Sequence, residues 1–342
     1  MRETDETQPE FPSPQPKTPF PVEPSAAGPV EGIVAGVYSH KIFVFGQGQE
    51  WLCALKGGGQ SSADQKKLSR KKGARESMGR LVVGDRVMFF PHPDLGLVET
   101  RLERQRVLSR AKADKSRFQK EGEGQIVAAN VDLVVVAASV ADPPFNQGLA
   151  ERIMAAGLDA GIPALICVTK LDLDKTEEYP RLRNEYRGLG VDVIGVSRSM
   201  PESLAPLRAA LRDKVAVLVG HSGVGKTSLM NQLTGTTLAT GEVGRGGGRH
   251  TTTAARLVPL EGGGFLIDSP GVREFGLHGL TPHRLAAGFL GFQPFLGRCG
   301  FRDCLHREEP RCGVLLAVEQ GRLDIRRYQF YLQLLKEVQS DS

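Results

Sequence analysis

No apolar run in this chain is long enough to cross a membrane: the longest, VDLVVVAASVA at 131–141, falls well short of the roughly 20 residues a helical span requires. The first thirty residues lack a basic start followed by an apolar core, so no secretory leader is expected. Five cysteines, an odd number, argue against a closed disulfide framework. These absences predict a soluble, cytoplasmic protein with reduced thiols and no membrane partner. There is no internal repeat, and the net charge is small, +5 from 44 basic and 39 acidic residues. A length of 342 residues nevertheless exceeds one ordinary domain of roughly 100 to 200 residues, so two or three units are expected.

The positive charge is bunched. KKLSRKKGAR (66–75) is dense in Lys and Arg, and RLERQRVLSRAKADKSRFQK (101–120) holds eight basic residues against two acidic ones. Either run alone reads as a solvated loop, but two in one chain point to a phosphate-rich partner. Residues 1–30 carry eight prolines and little apolar content, which predicts a disordered tail. From 31 to 107 short alternating segments such as KIFVFG and EWLCALKG, punctuated by Gly, Pro and Asp, predict a small antiparallel barrel. A basic linker is expected over 108–124. From 125 to 277 strands (131–138, 164–168, 191–196, 215–219, 264–267) alternate with helical stretches (147–160, 201–213, 226–235), so the fold class is multidomain α/β with a mostly parallel central sheet. Residues 278–342 turn to Gly, Pro and Cys and close with an amphipathic helix, 324–338.

VAVLVGHSGVGKTSLMNQL (215–233) fits G-x-x-x-x-G-K-[ST] between a strand and a helix. The loop from Gly220 through His221, Ser222, Gly223 and Val224 to Gly225 lets backbone N–H groups curl around phosphate oxygens. Lys226 bridges the outer phosphates, Thr227 ligates Mg²⁺, and Ser228 continues the helix start. Downstream, Asp268 and Gly271 of D-x-x-G end an apolar strand, where the carboxylate can hold Mg²⁺ through water and the Gly N–H can meet a γ-phosphate. Between them GRGGGRHTTT (244–253) offers Thr251, Thr252 and Thr253 as hydroxyls for Mg²⁺; by itself it is also compatible with a plain surface loop.

TKLD, comprising Thr169, Lys170, Leu171 and Asp172, ends another apolar strand. Asp172 can accept hydrogen bonds from the ring N–H and exocyclic amine of guanine, while adenine presents an acceptor there and is rejected. The Lys170 stem can lie along the base, and Ser197, after a further strand, can steady it from the other side. An ordinary charged strand end is the alternative. A base-reading pair of strands that precedes the phosphate-reading pair can share one sheet only in a circularly permuted domain. Near the end, Cys299, Cys304, His306 and Cys312 follow C-x₄-C-x-H-x₅-C, a donor set suited to one closed structural Zn²⁺ site; three free thiols in a polar loop is the alternative. Cys53 and Cys167 lie in apolar runs and read as core residues.

The order TKLD, VSRS, GHSGVGKTS, GRHTTT, DSPG resembles that of circularly permuted GTPases, and most closely the ribosome small subunit-dependent GTPase A (RsgA) family, over roughly residues 31–338. GRHTTT and DSPGVREFGL carry the specific part of that resemblance. It implies an OB-fold barrel, a permuted GTPase core and a C-terminal zinc domain, with a role in late maturation of the 30S ribosomal subunit. GTP and GDP, the 30S subunit and 16S rRNA are then the expected partners of a monomer. Thr169 stands where many members have Asn, and Arg198 where Ala is usual. Val272 occupies the position of the water-orienting Gln of Ras-like enzymes, which predicts slow hydrolysis alone and stimulation by 30S. His250 is then the candidate for aligning water, beside Lys226 as the second catalytic residue; anchoring the loop is its other possible role. In the barrel, Tyr38, Phe43, Phe45 and Trp51 are either RNA-stacking rings or core fillers, and Lys66, Lys67, Arg70, Lys71 and Lys72 are the electrostatic contributors to rRNA binding. A large-subunit assembly GTPase and a zinc-dependent RNA-binding protein without turnover are the rival readings.

Overall fold

The computed structural model describes residues 28–38, 41–56, 79–110, 125–235, 255–268 and 280–340. The tail over 1–27, the basic residues from Lys66 to Lys72, and His250, Thr251, Thr252, Thr253, Gly271 and Val272 lie outside them.

Five strands form the first unit: β1 (Val30–Tyr38), β2 (Lys41–Gly46), β3 (Gln49–Leu55), β4 (Arg86–Phe90) and β5 (Gly96–Arg101). Alternate side chains point inward, so Val34, Ile42, Val44, Cys53, Val87, Phe89 and Val98 make the core. Gly32 allows the close approach that curls β1, since a Cβ there would lie 2.5 Å from a Val44 methyl and 2.7 Å from the Phe89 ring. The strands close in the order β1-β2-β3-β5-β4-β1. The sequence pattern predicts antiparallel pairing throughout, but β3 and β5 run parallel. An odd number of strands cannot close with only antiparallel neighbours, so one parallel pair is obligatory. Asp85, fully buried, accepts from Arg104 Nε at 2.6 Å, from its Nη2 at 2.8 Å and from Val82 N at 2.8 Å, which fixes the turn into β4.

A hairpin follows. β6 (Val107–Arg110) pairs with β7 (Gln125–Ala129), and Ala128 bridges back to Val83. The basic segment 108–124 therefore begins as strand, and its middle lies outside the described residues.

The next unit runs β8 (Leu133–Ser139), α1 (Gln147–Asp159), β9 (Ala164–Thr169), α2 (Glu178–Arg187), β10 (Asp192–Gly195), α3 (Ala205–Leu211), β11 (Val215–Gly220), α4 (Lys226–Thr234), β12 (Arg256–Pro259) and β13 (Phe265–Asp268). The sheet order is β10-β9-β8-β11-β13-β12, parallel except for β12. Every residue of β8 and β11 is buried, because helices cover both faces. Val134, Val136, Ile166 and Val217 face α1 and α2, while Val135, Ala137, Cys167 and Leu218 face α3 and α4. The expected helix 201–213 is a 3₁₀ turn, Pro201–Leu204, followed by α3. Pro201 and Pro206 each fit only a first turn, so two starts replace one helix. β1 also pairs with β12, with Gly36 opposite Arg256, and barrel and core thus share one eleven-stranded sheet.

The last unit contains α5 (Pro282–Gly288), α6 (Gly313–Glu319) and α7 (Ile325–Ser340) around Phe289, Phe292, Tyr331, Leu334 and Leu335. No helix among the described residues is long and apolar enough to cross a membrane.

Candidate functional site

The loop after β11 passes so close to β8 that a Cβ at Gly220 would lie 2.1 Å from the Ala137 carbonyl oxygen. Gly223 and Gly225 have φ of 84° and 92°, which favour glycine, and Gly225 leads directly into α4. Val224 is buried and anchors the loop in the core. Lys226 folds back over the loop, donating to Gly220 O at 2.9 Å and His221 O at 2.6 Å, and the His221 ring lies 2.8 Å from Ser222 O. Thr227 and Ser228 occupy the first turn of α4 beside it. β13 runs parallel to β11 with Asp268 level with Leu218, which brings this carboxylate to the same end of the sheet. Burial pushes the Asp268 carboxyl above the ordinary carboxylate range, and the Lys226 charge works against that.

The TKLD loop arrives from β9 at the same edge. Thr169 is buried, and its hydroxyl faces two carbonyls, Val224 O at 2.5 Å and Ala138 O at 3.0 Å. A single side chain therefore joins the TKLD loop to the 220–225 loop. Lys170 has φ of 61° and its ammonium donates to Asp142 O. Asp172 sits in the 3₁₀ turn Leu171–Leu173, and its Oδ1 accepts from the Ser197 hydroxyl. Leu171 N reaches Val196 O at 3.4 Å, so the two loops also meet through backbone. Sequence reading omits Asp142, whose role is a backbone carbonyl and leaves no side-chain signal. It also omits Ser199 and Ser203, visible in VSRSMPES only as generic turn residues. The site residues expected at 250–252 and Gly271 lie outside the described residues.

Cys299, Cys304, His306 and Cys312 bring their ligand atoms within 4.8 Å of one another. His306 Nδ1 lies 3.5, 3.4 and 3.4 Å from the sulfurs of Cys299, Cys304 and Cys312, and Cys299 Sγ lies 4.0 Å from Cys312 Sγ. A tetrahedral Zn²⁺ at its usual bond lengths spaces N and S ligands by about 3.6 Å and two S ligands by about 3.8 Å. The cluster could therefore hold a metal such as zinc. Burial first, and then the neighbouring sulfurs of Cys312 and Cys299, push the Cys304 thiol up to about 12, and burial raises Cys312 as well, so ligating thiolates here need a cation. Tyr328 OH donates to His306 O at 2.8 Å and Tyr331 OH to Leu305 O at 2.6 Å, holding the ligand loop against α7.

The barrel rings divide by environment. Trp51 packs against core Phe89 and donates to Gly46 O at 3.0 Å; Phe45 meets Phe265 of β13 edge-on at 5.2 Å. Both serve packing. Tyr38 and Phe43 form a partly exposed edge-to-face pair at 5.6 Å.

The sequence model of the RsgA GTPase family matches residues 101–278. The chain is 39% identical over 270 residues to the small ribosomal subunit biogenesis GTPase RsgA of Chlorobaculum parvum, covering 76% of this chain and 86% of that one. It is 39% identical over 277 residues to the protein of the same name from Vibrio cholerae, covering 77% and 70%. Among solved structures it resembles YjeQ from Thermotoga maritima, with a TM-score of 0.67 and 26% identity over 90% of this chain and 98% of that one. It also resembles YloQ, described as a circularly permuted GTPase, with a TM-score of 0.69 and 26% identity over 92% and 96%.

Proposed function

The chain belongs to the RsgA GTPase family, and from that premise we propose how its residues serve GTP hydrolysis during biogenesis of the small ribosomal subunit. The observation that carries this reading is the hydrogen bond from Thr169 to Val224 O, which ties the base-reading loop to the phosphate-reading loop. One nucleotide can then be gripped at both ends. Asp172 accepts from the guanine edge, steadied by Ser197, while the Lys170 stem covers the base. Backbone N–H groups from Gly220 to Gly225 surround the phosphates. Lys226 releases its loop carbonyls for the outer phosphate oxygens, where charge accumulates as the terminal bond breaks. Thr227 and Asp268, with a hydroxyl from one of Thr251, Thr252 and Thr253, would hold Mg²⁺, which would neutralise phosphate charge. Gly271 N–H meets the γ-phosphate. His250 aligns the attacking water in place of the glutamine whose position Val272 occupies.

Cys299, Cys304, His306 and Cys312 hold one structural Zn²⁺. Barrel and zinc unit contact 16S rRNA through Tyr38, Phe43 and the basic residues of 66–72, and the nucleotide state of the core sets affinity for the 30S subunit. The protein acts as a cytoplasmic monomer.

Phosphate release from GTP and from ATP, with and without purified 30S and 50S subunits, tests this reading. Strong stimulation by 30S with GTP alone is expected. Equal turnover of ATP would sink the guanine assignment of Asp172, and stimulation by 50S instead would move the partner to the large subunit.

A further inference from the structure

Asp172 does not depend on Ser197 alone. Ser197 gives its single hydroxyl proton to Asp172 Oδ1, which leaves the serine oxygen as an acceptor. Two groups fill it, Ser199 N at 3.2 Å and Ser199 Oγ at 2.8 Å. Since Ser197 has no second proton, the Ser199 hydroxyl has to be the donor in that pair. A one-way chain results, from Ser199 O–H to Ser197 O–H to the Asp172 carboxylate, and hydrogen bonds in series strengthen one another. The backbone is fixed as well. Ser197 N donates to Ser203 Oγ at 2.9 Å, Ser203 Oγ donates to Met200 O at 2.5 Å, and Met200 N returns to Ser197 O at 3.3 Å. The turn 197–203 is thereby closed on itself, with Ser199 exposed and its hydroxyl directed back at Ser197.

We infer that Ser199 is a positioning residue for guanine specificity, holding the Asp172 carboxylate through Ser197 in the orientation that accepts two hydrogen bonds from one base edge. The inference rests on the reading of Asp172 as the guanine-binding carboxylate. Each carboxylate oxygen has two acceptor sites, so Oδ1 can take Ser197 and still receive a proton from the base. A two-bond contact requires both oxygens in the plane of the base, whereas a single bond tolerates rotation of the carboxylate. Loss of the Ser199 hydroxyl therefore acts on guanine, which offers a ring N–H and an amine, more than on hypoxanthine, which offers the ring N–H alone.

The test is calorimetric titration of the nucleotide-free full chain with GDP, IDP and XDP, for the wild type, Ser199→Ala, Ser199→Thr and Asp172→Asn. The last variant checks the premise. An asparagine offers a donor to the carbonyl that xanthine carries in place of the amine, so preference should swing from GDP to XDP. An unchanged GDP preference would remove the premise and the inference with it. Given the swing, Ser199→Ala is expected to bind GDP about fivefold more weakly, the worth of one neutral hydrogen bond, with IDP almost unaffected. Ser199→Thr keeps a hydroxyl and should retain the wild-type GDP to IDP ratio. A wild-type ratio in Ser199→Ala would overturn the inference. So would equal losses for GDP and IDP in both variants, which would mark Ser199 as a turn residue only.

Discussion

At the scale of single residues, Asp268 shows what the proposed Mg²⁺ ligand costs the fold. Its side chain is partly buried and its pKa is raised by that burial, with Lys226 opposing. A carboxyl whose folded pKa exceeds its unfolded value favours the folded state while protonated. That contribution is fully present below the unfolded value of 3.8 and is lost as pH rises through the folded pKa. At neutral pH the nucleotide-free protein therefore carries a strained charge. Asp268→Asn is expected to raise its melting temperature by a few degrees at pH 7, with the advantage shrinking as pH is lowered toward 4, while Mg²⁺-dependent GTP turnover falls at least tenfold. Melting curves across that pH range and a turnover assay check the two halves independently. The glycine pattern of the 220–225 loop is legible in sequence because geometry leaves few choices there, as the 2.1 Å clearance at Gly220 demonstrates. Thr169 is different. Its bond to Val224 O spans 55 residues, and a β-branched residue at a strand end predicts no such partner.

At the scale of elements, α7 is fastened to α1 and α2 by a buried charge cluster. Arg327 Nη2 pairs with Glu151, the Tyr186 hydroxyl donates to the same carboxylate at 3.1 Å, and Arg327 Nε donates to Leu290 O at 3.0 Å. Arg327 is 3% exposed and Glu151 1% exposed, so removing either partner strands a charge away from water. Glu151→Ala is expected to cost about 3–5 kcal/mol in denaturant unfolding, whereas the double change Glu151→Leu with Arg327→Met should cost far less than either single change. Such a pair, separated by 176 residues, leaves no local sequence trace. α2 escapes the sequence reading as well, because EYPRLRNEYR is mostly polar. Only Leu182 and Tyr186 are buried, and Asp174 starts the helix by accepting from Glu178 N at 3.0 Å and Tyr179 N at 2.9 Å. Strands are more legible in sequence than the pairings between them. Their periodicity is local, whereas the parallel β3–β5 pair and the β1–β12 junction depend on how the chain returns.

At the scale of the whole molecule, the three units differ in what holds them together. The sheet of the core has an apolar layer on each face, so it does not depend on metal. The C-terminal unit builds its core partly from Cys304 and Cys312 themselves, beside Phe292, Tyr328 and Tyr331. A metal held by these side chains would supply part of the unit's folding free energy. Cys304→Ser is therefore expected to lower tightly bound zinc from one equivalent to well below half. It should also separate a low-temperature transition for the C-terminal unit from that of the core, and weaken 30S stimulation at least tenfold while GDP affinity changes less than threefold. A chromogenic chelator gives the metal content, scanning calorimetry the two transitions and titration the affinity. One full equivalent of zinc in Cys304→Ser would remove that thiol from coordination. A parallel loss of GDP affinity would instead mean that the contact of α7 with α1 transmits the damage into the core, making Arg327 and Glu151 the route between metal and nucleotide.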